Sequence, residues 1–140
     1  VTTKRIRAYL LSDLSYAAQA PDFGGQINAL CINSTHIFAG GQTILSPKQY
    51  LISDLSFVKE FPRYKGNVFS LACDETYLFV GGYSDNCVKM ERISDAAIVA
   101  VTPSLPGSIQ CLVFEGTSIF WTDDGPDCVH KTKVGNILIQ

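Results

Sequence analysis

The chain is 140 residues long, 46% apolar and only 17% charged, with a net charge of −2. That balance supports a folded core and leaves no basic footprint, so nucleic acid and anionic membrane surfaces are excluded as main partners. The longest apolar runs, such as 96–101, fall far short of the roughly 20 residues a helix needs to cross a bilayer, so no membrane insertion is expected.

In chain order, residues 6–11 lead through Ser12-Asp13 into a second run over 14–20, and Pro21 closes it. The Ser-Asp pair returns as Ser53-Asp54 and Ser94-Asp95, and the proline as Pro62 and Pro103. Ile27 returns as Val68 and Ile109, and Ile37-Phe38 as Leu78-Phe79 and Ile119-Phe120. The period is 41 residues, without insertion or deletion. A fixed period of this size marks a repeat whose units bury their apolar faces by stacking on one another.

The middle unit reads most clearly. Residues 68–73 form a largely apolar run that ends at the polar turn Asp74-Glu75-Thr76. Residues 77–80 follow and stop at Gly81-Gly82, then 87–93 alternate, and Ser94-Asp95 turns the chain into 96–101. These are four short strands separated by turn residues, with no helical periodicity. Four antiparallel strands per unit, stacked face to face, predict a β-propeller blade. The fold class expected is all-β: a propeller segment of about three and a half four-stranded blades forming an incomplete ring. Residues 1–20 are a half blade, and 27–61, 68–102 and 109–140 are blades, the last with a Gly135-Asn136 turn and a short outer strand over 137–140. Propellers close at four to eight blades. Further blades are therefore expected, from a longer polypeptide or from other copies, and the start at Val1 favours the first.

Once the strands are placed, blade two resembles a WD-repeat in Tyr77-Leu78-Phe79-Val80-Gly81-Gly82, Ser84-Asp85-Asn86 and Val88-Lys89. It departs where that family has Trp-Asp and Gly-His: Arg92-Ile93 and Tyr50-Leu51 stand in the first place, and Gly25-Gln26, Gly66-Asn67 and Gly107-Ser108 in the second. The glycine pairs Gly40-Gly41 and Gly81-Gly82 are similar to those of kelch repeats, and Trp121-Thr122-Asp123 resembles the YWTD-type propellers of receptor ectodomains. These likenesses imply a divergent propeller that works by binding.

No nucleophile–base pair stands out, and the glycine pairs lack the Lys-Ser/Thr and helix of a phosphate loop. No catalytic residue, cofactor or metal is expected. Asp123, Asp124 and Asp127 beside Gly125-Pro126 miss the spacing of a calcium loop. The five cysteines contain no C-x-x-C. Cys31, Cys73 and Cys111 read as small buried strand residues, and Cys87 and Cys128 as the more accessible pair. Asn33-Ser34-Thr35 is a glycosylation sequon in a turn, exposed and usable if the protein is secreted. Recognition is left to one loop face carrying Phe23, Arg63, Tyr64, Lys65, Tyr83, Asp85 and Asp124, since exposed aromatics and arginine anchor interfaces. Against this, Phe23 and Tyr64 would simply cap the blade edges. The function expected is a non-enzymatic scaffold for protein contact or assembly; the alternative is an extracellular propeller binding a glycan or receptor ligand. The cytoplasm is favoured slightly over the outside of the cell.

Overall fold

A computed structural model describes residues 4–125 and 129–134. Thirteen strands fall into four antiparallel sheets, each in simple up-and-down order. The first pairs β1 (Arg7–Tyr9) with β2 (Tyr16–Gln19). The second runs β3 (Gln26–Ile32), β4 (His36–Gln42), β5 (Lys48–Leu51) and β6 (Phe57–Glu60). The third runs β7 (Val68–Cys73), β8 (Tyr77–Gly82), β9 (Lys89–Arg92) and β10 (Ile98–Val101), and the fourth β11 (Ile109–Glu115), β12 (Ser118–Asp123) and β13 (Val129–Lys133). This is the all-β, incomplete propeller-like arrangement, with no helix among the strand elements. The expected Gly135-Asn136 turn and outer strand 137–140 lie outside the described residues.

Local chemistry repeats with the sequence. In the three outer hairpins the carboxylates of Asp13, Asp54 and Asp95 accept the backbone N–H two residues on, at 2.9, 2.9 and 3.1 Å. The residues between, Leu14, Leu55 and Ala96, are left-handed, with φ of 56°, 58° and 58°. An Asx turn thus holds a non-glycine residue where side chains are disfavoured. Each inner strand also shifts register once, between Ile27/Ala29, Val68/Ser70 and Ile109/Cys111. That is a bulge copied at one repeat position.

The core lies between sheets rather than within any one of them. Ile6, Ala20, Phe23, Ala39, Tyr50 and Leu55 fill the space between the half blade and blade one. Phe38, Tyr64, Val68, Leu71 and Leu78 fill the next, and Phe79, Val88, Ile109, Leu112 and Trp121 the last. Alternation along β8 sends Leu78 and Val80 toward blade one and Phe79 toward blade three, so this strand is buried on both faces. Gly40 and Gly81 set the spacing. A Cβ on Gly81 would stand 2.5 Å from Ile109 Cγ2, and one on Gly40 would overlap Val68 Cγ1.

Side-chain hydrogen bonds tie the blades together as well. The Leu112 N–H donates to Ser70 Oγ at 2.7 Å, and Ser34 donates from N and Oγ to the Glu75 carboxylate at 2.9 and 2.8 Å.

Candidate functional site

The loop ahead of each inner strand crosses the end of its own blade, and this decides the fate of the expected interface residues. Phe23 is buried, its ring under Lys48, whose Nζ stands 5.1 Å from the centroid and donates to the Phe23 carbonyl at 2.9 Å. Tyr64 is completely buried. Its hydroxyl donates to the Cys87 carbonyl at 2.6 Å, and Lys89 Nζ stands 4.6 Å above its ring. Burial pushes the Tyr64 phenol well above the ordinary tyrosine range. The expectation that Phe23 and Tyr64 are exposed is therefore corrected: both are edge caps, held by lysines one repeat apart.

Of the other five, four stay at the solvent and Asp85 does not. Arg63, Lys65, Tyr83 and Asp124 are exposed, while the Asp85 side chain is nearly buried. Asp85 pairs with Lys89 at 2.5 Å and Lys65 at 3.8 Å, and accepts from the Lys65 N–H at 3.3 Å. Lys65 and Tyr83 lie together, because Gly66 packs against the Tyr83 carbonyl. Asp124 occupies Tyr83's repeat position in blade three, accepting from the Ser108 N–H at 2.5 Å. The described part of the face is thus Arg63, Lys65 and Tyr83 on blade two with Asp124 beyond them.

Two arrangements were not foreseen. His130 stands at the repeat position of Lys48 and Lys89, stacked on Trp121 with centroids 5.3 Å apart, its Nε2 3.0 Å from the buried Asp123 carboxylate. Asp123 also accepts the Gly125 N–H at 2.9 Å. Glu91 sits where Tyr50 stands in blade one, completely buried, with no hydrogen-bond partner for either oxygen among the described residues. Burial pushes its carboxyl up to about 8, and Lys89 pulls it back only in part. The one clue in the sequence is that an acid stands in blade two where blade one has Tyr50.

The remaining side chains revise the other expectations. Asn33 is half-buried rather than exposed. Its Oδ1 accepts from the N–H groups of Thr35 and His36, and its amide donates to the Asp74 carbonyl at 3.3 Å. Cys87 is buried rather than accessible, because it lies beneath Tyr64. Cys111 is exposed, on the side of β11 that no described blade covers. Cys31 and Cys73 are half-buried and share a hydrogen bond that, with burial, pushes the Cys31 thiol upward. Cys128 and Asp127 lie outside the described residues. Among those described, no three His, Cys, Asp or Glu side chains gather to hold a metal.

No protein-family model matches the sequence, and no curated protein matches it. Solved structures share the fold. The computationally designed Ika8 protein superposes on 94% of this chain with a TM-score of 0.78 at 15% identity. The computationally designed Ika4 protein superposes on 85% with a TM-score of 0.71 at 17% identity. The chain spans 41% of the length of Ika8 and 74% of that of Ika4. At such identities the likeness is one of fold.

Proposed function

We propose that this chain is a non-enzymatic propeller platform that works by protein contact or assembly. The observation that carries the reading is the apolar surface of the β1–β2 hairpin. Tyr9, Leu10, Leu11, Leu14 and Tyr16 are each at least half exposed, Leu11 almost wholly so at 97%. Tyr9 and Tyr16 meet edge to face at 6.2 Å, and the Leu14 N–H donates to the Leu10 carbonyl at 2.9 Å, so the side chains form one patch. A contiguous apolar patch of this kind marks a contact surface. The Arg63, Lys65 and Tyr83 group is a second, polar surface for the same purpose. Within propellers, a WD-repeat kinship rests on Asp85, whose buried pairing with Lys89 gives the Ser84-Asp85-Asn86 turn a structural role.

The test is light scattering coupled to size exclusion, with cross-linking of the chain and of L11D/L14D. Concentration-dependent association that the double substitution abolishes is the expected result. A wild-type chain that stays monomeric and cross-links to nothing through residues 9–16 refutes the reading. The alternative, an extracellular propeller binding a glycan or receptor ligand, has less behind it, because the Asn33 amide that would carry a glycan in a secreted protein is committed to the Asp74 carbonyl.

A further inference from the structure

The interface between blades one and two repeats the packing of that between blades two and three, with one exchange of chemistry. At the later interface Ala72 lies opposite Phe79, Phe114 lies opposite Ile119, and all four share one apolar cluster. One repeat earlier the same places hold Cys31 opposite Phe38 and Cys73 opposite Leu78, again in one cluster. Two thiols thus stand where the next interface has a methyl group and a phenyl ring. The two sulfurs share a hydrogen bond, and both side chains are half-buried, so they touch each other and still meet solvent. The strands β3 and β7 are tied on either side of the pair. The Asn28 amide donates to the Val68 carbonyl at 3.4 Å, and the Asn33 amide to the Asp74 carbonyl at 3.3 Å. Of the other described cysteines, Cys87 is buried beneath Tyr64 and Cys111 is exposed on β11.

We propose that Cys31 and Cys73 form a thiol–disulfide clamp, closed by small disulfides such as oxidised glutathione, that locks blade one to blade two. The Cys31 S–H donates to Cys73, which favours the Cys73 thiolate and makes it the attacking group. Cys73 releases its proton, and its thiolate attacks one sulfur of the small disulfide, whose S–S bond breaks as a thiolate leaves. Cys31 then gives up its proton, attacks the Cys73 sulfur and expels the second small thiolate. The cysteine pair loses two electrons, the small disulfide gains them, and the two protons end on the two released thiols. Closing the bond draws the sulfurs from hydrogen-bond contact to about 2 Å. The cross-link spans one repeat and joins units otherwise held by noncovalent contacts with their neighbours, so it resists their parting. The clamp goes beyond the platform reading and stands whether or not another protein binds the hairpin patch.

The folded chain is incubated with oxidised glutathione, quenched in acid, digested without reduction and mapped by mass spectrometry. A linked peptide joining Cys31 to Cys73 is expected, and dithiothreitol removes it. In a mixture of isotope-labelled and unlabelled protein, linked peptides carry one label only, as a bond within one chain requires. The closed form melts about 10 °C above the open form, and C111S shows the same rise. C31S lacks the resolving thiol, so it stops at a glutathione adduct on Cys73 and shows no such rise. Glutathione adducts on Cys111 with no Cys31–Cys73 linkage overturn the proposal, since the oxidant has then reached the protein and the pair has not closed. Linkage that forms only in urea, or that joins Cys31 or Cys73 to another cysteine, overturns it as well. So does a linked peptide with unchanged Tm, because the bond would then clamp nothing.

Discussion

Replacing Glu91 with Gln makes the protein more stable, by an amount that depends on pH in a defined way. The native carboxyl holds its proton up to about pH 8, while the same group in the unfolded chain releases it near 4.5. Between those values the native state binds more protons than the unfolded one, so stability falls as pH rises. Glu91 costs nothing in charge below about pH 4.5, and its penalty is complete above about 8. At pH 7 the interval is about 2.5 pH units, and at about 1.4 kcal/mol per unit the penalty is about 3 kcal/mol. Glutamine fills the same space without a titrating proton. E91Q and wild type should therefore melt together near pH 4, diverge by roughly 10 °C at pH 7, and separate no further above pH 9. Thermal and urea unfolding of both proteins across this range measures the difference, in which the contributions of other groups cancel. Two parallel pH profiles would falsify the argument, since they would mean that Glu91 is ionised at no cost, or has a partner.

G81V should destabilise by about 3 kcal/mol in urea unfolding, because its Cβ collides with Ile109 across the blade interface; a loss below about 1 kcal/mol would show that the blades yield there. L14N should stabilise by up to about 1 kcal/mol, since Leu14 is exposed at φ 56° and asparagine tolerates that region better. L55N should show no such gain, because Leu55 has the same backbone but a buried side chain, so a gain there would sink the explanation. In native-state alkylation followed by mass spectrometry, Cys111 should label first among the four described cysteines and Cys87 only on unfolding. Early labelling of Cys87 would contradict its place beneath Tyr64.

The period, the strands and the Ser-Asp turns are legible in the sequence because each rests on local chemistry that repeats. Loop side chains are not, since burial there depends on what lies across the blade. Phe23 and Tyr64 look like surface anchors until Lys48 and Lys89, at one phase of the repeat, close over them. That pairing of aromatic and lysine was present in the sequence, but 25 residues separate its members and only the blade geometry joins them. Cys87 follows Tyr64 inward for the same reason. Cys111 goes the other way, because its cover would have to come from a blade beyond the third. Glu91 is readable only by comparison with Tyr50, and the lack of a hydrogen-bond partner for its carboxylate among the described residues is a tertiary fact.

Blade two is the only sheet with a described blade against each face, and this sets the order in which the structure comes apart. In a stack where each unit touches only its neighbours, unfolding begins at the ends and moves inward. Amides of β8 should then exchange last, after those of β1–β2 and β11–β13 have opened. A lesion at Gly40 or Gly81 would turn one cooperative unit into two, whereas one in the β1–β2 hairpin would merely shorten it. Glu91 lies within that central blade, so the most strongly held part of the chain also carries its largest pH-dependent weakness.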